Sequence, residues 1–219
     1  MRERILEKAN DLFFRYGIKS VTMDDIAREL GISKKTIYQH FADKDAIVYA
    51  GVAAHFEQER CESEQMRAEA ADPIAEVVMG SEQMRQMLTG MNPSMFIDLK
   101  RYYPRAWALF TEFKNGFISD LIRQNLIQGI EMGLYRVDLN VEVMARLRNE
   151  EIELGFDPDI YPPQKFNLLD VQLALLDHFL RGVVTPKGLE MYENYKKNQL
   201  SLTVSTPPIN SPIFSPTSV

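Results

Sequence analysis

At 219 residues, 45% of them apolar, the chain is long enough for one large or two small packed units and too apolar to stay unfolded. Its formal net charge of −6 excludes a uniformly basic nucleic-acid coat, and the balance is uneven: residues 1–50 carry 9 Lys or Arg against 8 Asp or Glu, whereas residues 51–219 carry 16 against 23. A single cysteine, Cys61, excludes an internal disulfide or a Cys-x-x-Cys pair, and no apolar run approaches the ~20 residues of a membrane span; with no signal-peptide core at the start, a cytoplasmic protein is expected.

The first predicted element is an amphipathic helix striped by Ile5, Ala9, Leu12, Phe13 and Tyr16, with Gly17 as its C-terminal stop. Thr22 stands three residues before Asp25, a capping-box-like start. Met23, Ile26, Ala27 and Leu30 then recur at helical spacing and leave Asp24, Asp25, Arg28 and Glu29 on the wet side. Gly31 can take the left-handed conformation that closes this helix, and the Ser33 hydroxyl can cap the next, so the turn is about three residues long. In the second helix of the pair Ile37 and Phe41 pack inward, which turns Lys34, Lys35, Tyr38 and Gln39 outward as a group. That face suits a DNA groove, although the pattern alone also fits a solvated hairpin. Asp43 can cap a further helix. Lys44 in its first turn opposes the helix dipole, at a cost that a facing phosphate would offset.

The remainder stays helical. Residues 46–66 read as one long helix that turns polar after Phe56. Asp72-Pro73 opens a helix to about Thr89, Gly90-Met91-Asn92-Pro93 breaks it, and a short helix to Tyr103 precedes a long one over 104–133. Residues 141–154 form another helix, a proline-rich loop runs to Phe166, and the last helices span 168–184 and 186–197. Residues 199–219, rich in Ser, Thr and Pro, are expected to be a disordered tail. Methionines and aromatics crowd residues 79–117. They suit a plain core or an adaptable apolar cavity, whose walls would come from Met87, Phe96, Tyr103, Trp107 and Phe110. The stripe Leu169, Leu173, Leu176 and Leu180 belongs to a face broader than one core needs. Joined by Met144 and Leu147, it could form half of an intersubunit four-helix bundle, or it is an ordinary central helix.

The head resembles the N-terminal domain of the TetR family of bacterial transcriptional regulators. The resemblance runs in order through Leu12-Phe13-Phe14-Arg15-Tyr16-Gly17, Thr22, Ile26-Ala27, Gly31-Ile32-Ser33, Thr36-Ile37-Tyr38-Gln39-His40-Phe41 and Lys44, about the first 50 residues. It implies a homodimer on a double-stranded DNA operator and a second helical domain that senses a small molecule, which a methionine- and aromatic-lined space would make a hydrophobic or amphipathic effector. It further implies that Lys34, Lys35 and Tyr38 face bases or groove edges, and that Thr22, Thr36, Tyr38, His40 and Lys44 face phosphates. Tyr38 packing on the preceding helix and His40 bonding to nearby backbone remain alternatives.

Catalysis finds no support: there is no phosphate loop, nucleophile elbow or HExxH, and His40, His55 and His178 are scattered. No cofactor and no metal is expected. Glu150, Glu151 and Glu153 read as a solvated face, and Cys61 as a buried inert thiol rather than a redox sensor. The expectation is an all-α protein: a helix-turn-helix domain (1–47), a helical ligand-binding and dimerisation domain (48–198) and the tail. Its expected function is that of a ligand-released repressor. The alternatives are a ligand-independent DNA-binding regulator and a helical enzyme or carrier with a vestigial head.

Overall fold

The computed structural model describes residues 1–203, with side chains through residue 198; the expected tail lies outside the described residues apart from the helical backbone up to Thr203. Those residues are all-α. The described residues form eleven α-helices: α1 (Arg2–Tyr16), α2 (Met23–Leu30), α3 (Lys34–Tyr38), α4 (Lys44–Glu69), α5 (Pro73–Leu88), α6 (Ser94–Tyr102), α7 (Pro104–Phe113), α8 (Ser119–Glu131), α9 (Val141–Leu154), α10 (Leu168–Val183) and α11 (Pro186–Thr203). A π-helical turn, Lys114–Ile118, joins α7 to α8, so the single long helix expected there carries an inserted wide turn. The last expected helix runs six residues further than 197.

Two compact units form. The first comprises Met1–Glu59 and Gly90–Glu112; the second comprises Arg60–Thr89 and the described chain from Phe113 onward. The expected boundary after residue 47 falls within continuous α4, and α6 and most of α7 pack with the head. The first unit's core gathers the predicted α1 stripe (Ile5, Ala9, Leu12, Phe13) with Ile26, Ile37, Phe41, Ile47 and, from the later segment, Leu99 and Ala106. Tyr16, predicted on that stripe, is exposed.

In the second unit Ile74, Val78, Leu126, Tyr135, Leu180 and Val183 close the core. Asp72 caps α5 as its sequence suggests, accepting the Ile74 and Ala75 N–H groups at 2.9 Å each, with Pro73 in the first turn. The Tyr135 hydroxyl donates to Asn125 Oδ1 at 2.9 Å inside this core, and burial raises its pKa well above the ordinary tyrosine value. Two expectations are corrected here. Glu151 is buried against Arg148 at 3.4 Å, while Glu153 and Glu150 hold buried Lys114 at 2.9 and 3.4 Å, so these carboxylates are counter-charges for desolvated cations and not a solvated face. Cys61 is exposed. Asp177 accepts from Arg181, Lys196 and Tyr192 at 2.7, 2.7 and 2.9 Å.

Gly129 lies within α8 directly against the Tyr135 ring, where an added Cβ would collide with three ring carbons. Helix propensity alone would make Gly129→Ala stabilising by up to about 1 kcal/mol. Overpacking should prevail, giving a net loss of about 1–2 kcal/mol, read as a lower urea midpoint at unchanged m-value.

Candidate nucleic-acid interface

The helix-turn-helix is built by local chemistry. At the start of α2 the capping box is complete: Asp25 N–H donates to Thr22 Oγ1 at 3.2 Å, and Thr22 N–H donates back to Asp25 Oδ2 at 2.9 Å. The Thr22 hydrogen bonds hold the Asp25 carboxyl below its ordinary pKa, Arg28 assisting. Gly31 closes α2 at φ +64°, the left-handed conformation that a side chain resists, and the Ile32 N–H reaches back to Ala27 O at 3.0 Å. Ser33 then accepts the Thr36 N–H at 3.1 Å and starts α3. The regular helix stops at Tyr38, shorter than expected, yet Ile37 and Phe41 are both buried as predicted.

Lys34, Lys35, Tyr38, Gln39 and His40 are all exposed, Tyr38 to 48%, so this face of the unit carries the donors together. Thr22 is exposed at one end of α2, and Thr36 is half-buried with its hydroxyl 2.9 Å from that of Ser33. Lys34 does not stand free: its Nζ donates to Asp24 at 2.8 Å, which raises its pKa, so the acidic side of α2 is not turned away from the lysines. Lys35 makes no ion pair among the described residues. Its charge is the more available of the two.

Lys44 behaves differently from the other lysines. It opens α4, but its Nζ donates to the Ile18 carbonyl and lies 5.7 Å from the centre of the Phe13 ring. Burial pushes its pKa down, against the opposing charges of Asp98 and Asp25. The ammonium therefore has a partner within the head and braces α4 to the turn before α2. Sequence reading missed two further features. Arg2 places its guanidinium 4.9 Å from the Phe41 ring at the end of the recognition segment, and no local signal in the sequence joins those residues. Asp98, from α6, accepts the Lys19 N–H at 2.7 Å across 79 residues of sequence.

The residues expected to wall a cavity divide. Phe96, Trp107 and Phe110 meet in the first unit with ring centroids 4.8–5.1 Å apart, and Tyr103 packs with Trp107 on that unit's core. Met87 belongs to the second unit. Among the expected interface residues of α9 and α10, Leu147 is 47% exposed and Met144, Leu169, Leu173 and Leu176 are half-buried. Leu180, at 1% exposure, is already committed to its own chain's core.

Comparison with known proteins agrees with the geometry. Residues 5–50 match the family model described as bacterial regulatory proteins, tetR family. Over 191 residues the chain is 24% identical to the uncharacterized HTH-type transcriptional regulator YvaF of Bacillus subtilis, covering 84% of this chain and 95% of that protein. A TetR-family transcriptional regulator from Agrobacterium tumefaciens shares the fold with a TM-score of 0.69 at 15% identity, over 84% of this chain and 97% of that one. A transcriptional regulator from Saccharomonospora viridis, solved in complex with choline, does so with a TM-score of 0.67 at 20% identity, over the same shares. These relatives are transcriptional regulators. Among the described residues no helix is long and apolar enough to cross a membrane.

Two substitutions separate the lysines. Lys35→Ala should weaken binding to a preferred duplex about tenfold, as loss of one base-edge contact worth about 1–3 kcal/mol implies. Asp24→Asn should act in the opposite direction, freeing Lys34 and removing a nearby negative charge. Titration of a labelled duplex over a salt series measures both.

Proposed function

We propose that this chain, a DNA-binding transcriptional regulator of the TetR family, acts in the cytoplasm as a homodimeric repressor that a small molecule releases from a near-palindromic operator. The observation that carries the reading is the α3 face. It gathers exposed donors on a fold whose capping is complete, yet only Lys34 and Lys35 supply positive charge there and Lys34 is shared with Asp24. One such face makes few contacts. Two faces one helical turn apart, about 34 to 36 Å, would double them and read adjacent major grooves. Lys34, Lys35, Tyr38 and Gln39 would meet base edges, and Thr22, Thr36 and His40 phosphates. Lys44 would act on phosphates chiefly through the start of α4, since its ammonium is engaged with Ile18 O.

Dimerisation is supported by apolar side chains that the single chain leaves uncovered on α9, Val143 at 55% and Leu147 at 47% exposure, beside half-buried Leu169, Leu173 and Leu176 on α10. Covering a fully exposed leucine is worth about 1.5–3 kcal/mol and a half-exposed one roughly half of that, so several together could sustain a dimer. An effector is supported by analogy with the choline complex of the structural neighbour. Release would be a population shift: the effector favours a form of the helical body in which the two heads no longer match the groove spacing. The mutual packing of Phe96, Trp107 and Phe110 favours a second reading, a regulator that needs no effector, because those rings fill one another's space.

Leu147→Glu tests the two-headed reading without disturbing the fold, since the residue is surface-exposed in one chain. Analytical ultracentrifugation at micromolar concentration should show a monomer, with operator affinity reduced at least about 100-fold, the loss of roughly one head's contribution. A stable dimer with undiminished affinity would exclude this face. A compound screen against the protein–duplex complex distinguishes the effector-released repressor from the effector-free one.

A further inference from the structure

We propose that Asp98 is a positioning residue for DNA binding: from α6 it fixes the turn between α1 and α2, and with it the entry into the helix-turn-helix. The inference rests on the DNA-binding reading of the head and adds to it a residue that never touches DNA.

The geometry centres on one peptide group. Its two ends are the Ile18 carbonyl and the Lys19 N–H. The carbonyl accepts from the Lys44 ammonium, and the N–H donates to the buried Asp98 carboxylate at 2.7 Å. A cation holds one end and an anion the other, so the orientation of this peptide is fixed by two charge-assisted bonds. Three residues further on, Thr22 begins the capping box of α2. Around the peptide, the same later segment grips the end of α1. Asn92 N–H donates to Phe14 O at 2.8 Å and its side-chain amide reaches Arg15 O at 3.4 Å. Gly17, at φ +82°, leaves no room for a Cβ beside Ser94 Oγ. The Lys19 ammonium donates to the Tyr102 hydroxyl at 3.2 Å and lies 4.9 Å over its ring.

Residues 90–112 thus form a collar on the head. The chain enters that collar from the second unit at 89–90 and returns to it at 112–113. Burial lowers the pKa of Lys44 while Asp98 opposes the shift, in keeping with the two acting as counter-charges across this peptide.

The sign of the effect distinguishes positioning from simple charge. Removing a carboxylate from a DNA-binding head should tighten binding if only long-range electrostatics matters. The collar requires the reverse. The experiment uses full-length wild type and Asp98→Asn with a labelled duplex recovered by wild-type selection from random DNA, titrated over a salt series alongside circular dichroism. The expected result is a folded Asp98→Asn protein that binds about tenfold more weakly with an unchanged salt slope, as loss of one charged hydrogen bond away from the phosphates implies. Equal or tighter binding by the folded variant overturns the proposal, since a purely structural role would lower the melting temperature and leave the folded fraction's affinity intact. If Asp98→Asn does not fold, Asn92→Ala, at the half-buried edge of the collar, decides: a loss of about threefold supports it, as a weaker neutral bond predicts, and no change overturns it. Failure of the wild type to retain any duplex would sink the DNA-binding reading itself and this inference with it. Retention by the wild type with an indifferent Asp98→Asn sinks this inference alone.

Discussion

The peptide between Ile18 and Lys19 is held by a lysine at its oxygen and an aspartate at its nitrogen, and the reading end of the molecule is assembled from that point. A turn normally satisfies such groups with water or with neighbours a few residues away. Here the partners come from α4 and α6, so three segments distant in sequence meet at this turn. The half-buried ammonium of Lys44 would be costly alone; the Ile18 carbonyl and the nearby carboxylates offset that cost. Fixing the turn fixes the capping box. The box sets the direction of α2, and the Gly31–Ser33 turn transfers that direction to α3.

A head built this way is precise in shape but poor in charge. Its 50 residues are nearly neutral, and one of the two lysines on the reading face is tied to Asp24. Counterion release from a duplex scales with the phosphates a protein neutralises, so a single head can gain little from non-specific attraction. The acidic remainder of the chain adds repulsion. Such a balance suits a regulator whose affinity comes from shape, groove contacts and pairing of two copies, because stray binding along the genome is then weak.

Much of this was legible in the sequence because its causes are local. The stripe Ile5, Ala9, Leu12, Phe13 gave α1 and its inner face, Gly31 and Ser33 gave the turn, and Asp72-Pro73 gave the start of α5. Each signal acts within a few residues, as capping and helical periodicity do. What eluded the sequence was the identity of long-range partners. Lys44 stood out as a charge at the wrong end of a helix and was read as facing a phosphate; in the structure its ammonium meets a backbone carbonyl 26 residues earlier. Glu150 and Glu153 looked like a wet face because charge spacing does not reveal a buried lysine in another segment, and Glu151 because spacing does not reveal that its neighbour Arg148 is buried. Leu180 shared the stripe of the expected interface residues, and only packing tells that its own core takes it. Likewise, nothing near Asp98 in the sequence points to Lys19.

The central claim is that one head is half of a reader, whose partner head is set at a fixed spacing. Selection of bound sequences from random duplex DNA by the full-length protein tests it most directly. The account predicts enrichment of a near-palindrome whose two half-sites have centres about one helical turn apart, 10 to 10.5 base pairs. Enrichment of a single unrepeated half-site, or of no sequence at all, would contradict it.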